Sequence, residues 1–182
     1  MAAPDERLVE VTPKNVPGVV LDLRYATTNN ITGKALYSEA KAYLRPETIR
    51  KLRRVVRDLE EEGYRLVIWD AWRPAEVQRA LWQARPDGKF LMPPSKISRH
   101  RRGTSVDVSL AEMNGRILEM PSDFDEFNAK ADEDFSDVSK EAARRARILR
   151  KIMFKAGFSG VPDEWWHYDL RDWADYEAIG GK

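Results

Sequence analysis

The order in which two hydrophobic periods follow one another along the chain constrains the fold most tightly. Ile49, Leu52, Val56 and Leu59 recur at helical spacing between Pro46, suited to a first helical turn, and Gly63, suited to a stop. Ala142, Ala146, Leu149, Met153 and Ala156 form a second stripe. It begins after Ser139, a helix cap, and ends at Gly157, with Arg144, Arg145, Arg147 and Lys151 turned toward water. Strand-like runs lie at 19–25, 64–69 and 104–110, and a last one within 158–169. A short helix through Trp82 follows Pro74, and 85–99, with Pro86, Gly88, Pro93 and Pro94, reads as a loop. Residues 27–33 are rich in turn formers, and Asn114-Gly115 marks a hairpin turn. Helices and strands do not alternate as regular βαβ units, so the sequence predicts an α+β fold with a central antiparallel sheet flanked by helices. No repeat, low-complexity tract or linker interrupts it, which predicts a single domain over 1–182.

Composition narrows the function classes. Lys and Arg total 31 against 30 Asp and Glu, a net charge of +1, which argues against a general polyanion binder. Cysteine is absent, excluding disulfides and thiolate-held zinc. The N-terminal residues lack a basic start followed by an apolar stretch, and no run of about 18 apolar residues occurs. These features predict a cytoplasmic protein with no membrane or nucleic-acid partner. Oligomeric state has no sequence signal.

The chain has only two histidines, and each stands near a carboxylate. His100 precedes Asp107 by seven residues, with Gly103 between them. A continuous helix would bring the two together, but Thr104-Ser-Val-Asp-Val-Ser favours a strand. A turn at Gly103 would fold a loop histidine back beside a strand carboxylate. Val106 and Val108 would then face the core and Asp107 the opposite side, as suits a cleft. Glu164 precedes His167 by three residues; on a regular strand the two would face opposite ways. They share a site if Glu164 starts the strand or sits at a bulge, and the sequence leaves both open. Two imidazoles and one carboxylate make a three-ligand zinc site with an open fourth position, the mark of catalytic zinc. A further carboxylate can then carry protons. Blander readings stand beside this one. A lone histidine is usually structural or exposed, and Ser98-Arg-His-Arg-Arg102 suits a nucleic-acid patch. The near-zero net charge and lack of interleaved aromatics weigh against the patch.

At these positions the sequence resembles the D-alanyl-D-alanine dipeptidases, the VanX-type zinc peptidases related to D,D-carboxypeptidases and to the hedgehog signalling domain. Their Ser-x-His-x-x-Gly-x-Ala-x-Asp pattern is met by Ser98, His100, Gly103, Ser105 and Asp107, and their Glu-x-x-His pattern by Glu164 and His167. Trp69-Asp70-Ala-Trp-Arg73-Pro74, Tyr25-Ala-Thr with Asn30-Ile-Thr-Gly33, and Phe124-Asp125 match further segments. Ser105 departs from the usual alanine; Thr28, Asn29 and Ile31 depart from Trp, Asp and Phe, which bears on the shape of the pocket. The resemblance implies one Zn²⁺ per subunit held by His100, Asp107 and His167, with Glu164 as general base and Arg73 as oxyanion donor. It implies Ser98, Asp125 and Tyr25 around a dipeptide, with Asp125 anchoring the ammonium. The activity implied is hydrolysis of D-Ala-D-Ala, in glycopeptide resistance or in recycling of wall-derived dipeptide. A D,D-carboxypeptidase or peptidoglycan endopeptidase acting on longer peptides and a non-catalytic zinc module are the alternatives.

Overall fold

A computed structural model describes residues 5–180. The fold is α+β. Its main sheet has five strands: β2 (Val20–Leu21), β4 (Tyr64–Asp70), β5 (Ser105–Glu112), β6 (Phe158–Val161) and β7 (Glu164–Leu170), ordered β2-β4-β5-β7-β6. A two-stranded ribbon pairs β1 (Val9–Glu10) with β3 (Tyr43–Leu44). The helices are α1 (Pro46–Glu61), α2 (Ala75–Ala84) and α3 (Lys140–Ala156).

The sheet is antiparallel except at one edge, where β2 runs parallel to β4. This departs from a wholly antiparallel sheet and has a topological cause. The ribbon strand β3 and the whole of α1 lie between β2 and β4, a connection long enough for the crossover that a parallel pair needs. The strand expected over 19–25 is shorter than its apolar run, because Arg24–Ala26 winds into a 3-10 turn. Both long helices follow their stripes. Ile49, Leu52, Val56 and Leu59 are buried on α1, as are Ala142, Ala146, Leu149, Met153 and Ala156 on α3. The Ser139 hydroxyl caps α3 by accepting from the Ala142 amide at 3.1 Å, and Gly157 ends it at φ +99°. The two helices pack against each other, and α3 reaches Tyr168 of β7 edge-on through Phe154.

Two irregularities shape the other side of the sheet. A register shift in β4 between Ile68 and Asp70 sets Asp70 opposite Asp107. A second shift between Gly160 and Val161 accompanies the β6–β7 turn, with Glu164 as the first residue of β7. Both conditions under which Glu164 and His167 can share a site are therefore met. The arginines of the 99–102 run serve the C-terminal segment. Arg99 and Arg102 lie over the Trp173 ring, Arg102 also donates to the Tyr176 carbonyl, and Arg101 donates to that of Gly180. Among the described residues no helix is long and apolar enough to cross a membrane.

Candidate active site

His100 sits in a 3-10 turn, Arg99–Arg102, that ends at Gly103 with φ +72°. A side chain at 103 would meet Leu8 Cδ2 at 2.6 Å, so position 103 takes glycine both for backbone sign and for space. The chain reverses there into β5, which carries Asp107. The β5–β7 register pairs Asp107 directly with His167. Three donor atoms converge: His100 Nε2 and His167 Nδ1 lie 3.1 Å apart, His167 Nδ1 and Asp107 Oδ1 3.1 Å, and His100 Nε2 and Asp107 Oδ1 3.3 Å. Tetrahedral bonds of about 2.05 Å to zinc would separate ligand atoms by about 3.3 Å, so this triangle has the size of one face of such a site. All three residues are buried. Burial alone would raise the Asp107 carboxyl; the two imidazoles outweigh it and hold it well below the usual carboxylate range.

Each imidazole is oriented from behind. The His100 Nδ1–H donates to the Ala71 carbonyl at 2.7 Å, which leaves Nε2 as the free donor atom. His167 Nε2–H donates to Asp169 Oδ1 at 2.8 Å, leaving Nδ1 free. With two imidazoles and a carboxylate turned inward, the donor set suits a borderline-soft dication such as zinc.

A cavity of about 180 Å³ opens over this triangle. The 85–98 loop walls it through Lys89, Phe90, Leu91 and Met92, and Lys89 pairs with Asp163 of the β6–β7 turn at 3.2 Å. Glu164 lines the cavity with its Oε2 3.9 Å from His167 Nδ1, beside the triangle but not part of it. Enclosure, with the charges of Asp107 and Asp125 adding to it and His167 opposing, pushes its carboxyl up to about 8. Arg73 is buried and held on three sides. Its Nε donates to Asp70 at 2.8 Å, one terminal nitrogen to Gln78 Oε1 at 2.8 Å, and the other to Asp107 Oδ2 at 3.3 Å. These bonds use three of its five N–H groups. Asp70, fully buried, also accepts from the Tyr37 hydroxyl at 2.6 Å.

Ser98 and Asp125 line the cavity. Asp125 adopts φ +56°, and burial pushes its carboxyl up to about 7, against the hydrogen bond it accepts from Tyr25. Tyr25 does not reach the cavity wall. It is fully buried behind Asp125, to which its hydroxyl donates at 2.6 Å, with its ring under the Arg73 guanidinium.

A family model described as D-ala-D-ala dipeptidase matches residues 7–179. The chain belongs to the D-Ala-D-Ala dipeptidase family. The D-alanyl-D-alanine dipeptidase of Escherichia coli (strain K12) is 38% identical over 163 residues, covering 90% of this chain and 84% of that relative. That of Enterococcus faecium is 29% identical over 178 residues, covering 86% of this chain and 88% of its own length. Among solved structures the LdcB LD-carboxypeptidase superposes with a TM-score of 0.55 at 17% identity, over 96% of this chain and 73% of that one, a likeness of fold. The chain is thus a metallopeptidase, and the buried His100/Asp107/His167 triangle is a group of donor atoms placed to hold a metal ion.

Three residues around the site, Asp169, Asp70 and Gln78, have no role in the sequence reading, although Asp70 lies in the matched segment 69–74. Asp169 stands two residues after His167, so strand alternation puts both on one face; that signal was readable. Asp70 carried a weaker one, lying three residues before Arg73 at the end of an apolar strand. Gln78 had none, since its pairing with Arg73 depends on how α2 leaves the sheet.

Proposed function

We propose that the chain hydrolyses D-Ala-D-Ala to two molecules of D-alanine, with one Zn²⁺ held by His100 Nε2, Asp107 Oδ1 and His167 Nδ1. The reading rests on the convergence of these three atoms beneath a cavity that also presents Glu164, Arg73 and Asp125. When bound, zinc acidifies a water and polarises the scissile carbonyl. Glu164 takes the proton of the attacking water and hands it to the leaving amine. A dication held beside it would favour its charged form, the form that accepts a proton. Arg73 keeps two N–H groups after its three internal bonds, and these meet the charge that grows on the carbonyl oxygen. Its three anchors make the donor ready before reaction. Asp125 receives the substrate ammonium, Ser98 contributes a hydroxyl to the wall, and Tyr25 acts from behind by holding Asp125.

The cavity supports a small substrate. Sites for drug-sized ligands run from about 300 to 1,000 Å³, well above the volume here. Residues 1–182 then make one dipeptidase domain. We place its reaction in the cytoplasm, where it serves either glycopeptide resistance, by removing a wall precursor, or recycling of wall-derived dipeptide.

The test is release of D-alanine from D-Ala-D-Ala by the purified protein, with zinc and after chelation, beside a pentapeptide stem. Zinc-dependent release from the dipeptide alone is expected. Preference for the pentapeptide would make it a D,D-carboxypeptidase. No release from folded, zinc-loaded protein would sink the peptidase mechanism and favour a binding module, although such a module needs neither Glu164 nor Arg73.

A further inference from the structure

The two imidazoles of the metal centre are supported unequally. Behind His100, Nδ1 bonds a neutral backbone carbonyl, with the Asp70 carboxylate farther off at 3.8 Å; behind His167, Nε2 bonds the carboxylate of Asp169 directly, and Asp169 has no exposed surface. Asp169 Oδ1 accepts both from His167 Nε2 at 2.8 Å and from the Ser105 hydroxyl at 2.6 Å. Its Oδ2 accepts from Arg99 at 2.6 Å, and that guanidinium lies 4.6 Å from the Trp173 ring centroid. The sheet register accounts for the arrangement. Pairing Asp107 with His167 also pairs Ser105 with Asp169 two residues along, so two inward-facing ligands and their two supports form one block across β5 and β7. Ser105 is the position at which the chain departs from the alanine of the family pattern. An alanine there would leave Asp169 without its shortest uncharged partner.

We propose that Asp169 is a positioning residue for the metal centre. It holds His167 in the tautomer whose Nδ1 faces the metal, and Ser105 and Arg99 fix the carboxylate in the orientation this requires. The proposal rests on the zinc reading above. A charged acceptor behind a ligating imidazole raises its basicity as well as fixing its ring, and losing such a partner typically weakens metal binding about 10- to 100-fold. Of the two imidazoles, only that of His167 donates directly to a carboxylate. The hydroxyl at 105, a minor change when seen alone, belongs to the metal site through it.

The experiment is competition for Zn²⁺ between a chelating indicator and the full-length protein, in wild type, Asp169→Ala, Asp169→Asn and Ser105→Ala, with unfolding temperatures of the metal-free forms measured in parallel. A rise in the zinc dissociation constant of about 10- to 100-fold is expected for Asp169→Ala. Smaller rises are expected for Asp169→Asn, which keeps an acceptor but loses the charge, and for Ser105→Ala. Substituted Co²⁺ should change its visible absorption in the Asp169 variants. Zinc affinity within twofold of wild type in both Asp169 variants, with only the metal-free unfolding temperature lowered, would make Asp169 a mere stitch between strands and overturn the proposal. Should Asp169→Ala fail to fold, the isosteric Asp169→Asn and Ser105→Ala carry the comparison. Wild type that binds no zinc would instead overturn the zinc reading itself, and this proposal with it.

Discussion

Replacing Arg73 by lysine isolates its role most cleanly. Alanine would strand Asp70, which is fully buried and leans on Arg73 Nε at 2.8 Å. Breaking a buried pair in that way costs about 3–5 kcal/mol of stability and would confuse folding with catalysis. Lysine keeps the charge. The guanidinium reaches Asp70, Gln78 and Asp107 at once and still has two N–H groups for the substrate. An ammonium has only three N–H groups on one atom and no fork. Satisfying Asp70 and Asp107 leaves it at most one, pointing wherever the carboxylates dictate. Loss of an oriented oxyanion donor costs about 2.7–4 kcal/mol of transition-state stabilisation, or about 10²–10³ in kcat. Because one imperfect donor survives, Arg73→Lys should fall near the lower end, about 100-fold in kcat, with KM changed by no more than a few-fold and zinc content unchanged. Continuous measurement of D-alanine release across substrate concentrations gives both constants. Either kcat within threefold of wild type in a zinc-loaded protein, or a raised KM at unchanged kcat, would refute the oxyanion assignment.

Glu164→Gln should lower kcat by about 10²–10⁴ while metal analysis still finds one zinc per chain, since a proton carrier is lost but no ligand; a metal-free variant would mean that Glu164 is a ligand. Asp125, pushed up to about 7, sets a pH dependence whose sign is definite. The carboxyl is neutral below its pKa and charged above it, and a bound cation would draw that pKa below about 7, so KM for a dipeptide should fall as pH rises through the lowered value, and Asp125→Asn should flatten the profile. The same raised pKa means that the folded, ligand-free protein holds the proton more tightly than the unfolded chain. This contribution to stability is full below the ordinary carboxylate range and is lost as pH rises through about 7, and Asp125→Asn should remove the dependence in chemical denaturation. Chelation should lower the unfolding temperature and zinc should restore it, because the triangle of ligands exists only in the folded chain; identical melting curves would argue against a bound metal.

Much of this was legible in the residues because it is local. A stripe of apolar side chains at a period of 3.6 needs no partner to declare a helix, and Ser139, Gly63 and Gly157 mark where helices start and stop through their own backbone and hydroxyl chemistry. The turn at Gly103 and the alternation through Val106, Asp107 and Val108 place a histidine and a carboxylate on adjoining stretches of chain. Two lone histidines, each near a carboxylate, suggested one zinc site, and the resemblance to the dipeptidases added the role of each residue in it. Tertiary structure decided the rest. His100 and His167 are 67 residues apart, and only the register of β5 on β7 turns two separate motifs into a triangle with sides near 3 Å. The parallel edge strand follows from a long crossover whose path no local pattern encodes. Tyr25, in the 3-10 turn Arg24–Ala26, stands behind Asp125 instead of facing the cavity, and Asp70 at the end of β4 and Gln78 on α2 both grip Arg73 from different elements. Periodicity tells a residue which face of its own element it occupies. Which residue from a distant element arrives opposite it is set by packing and strand register, sums over the whole chain that no single segment contains.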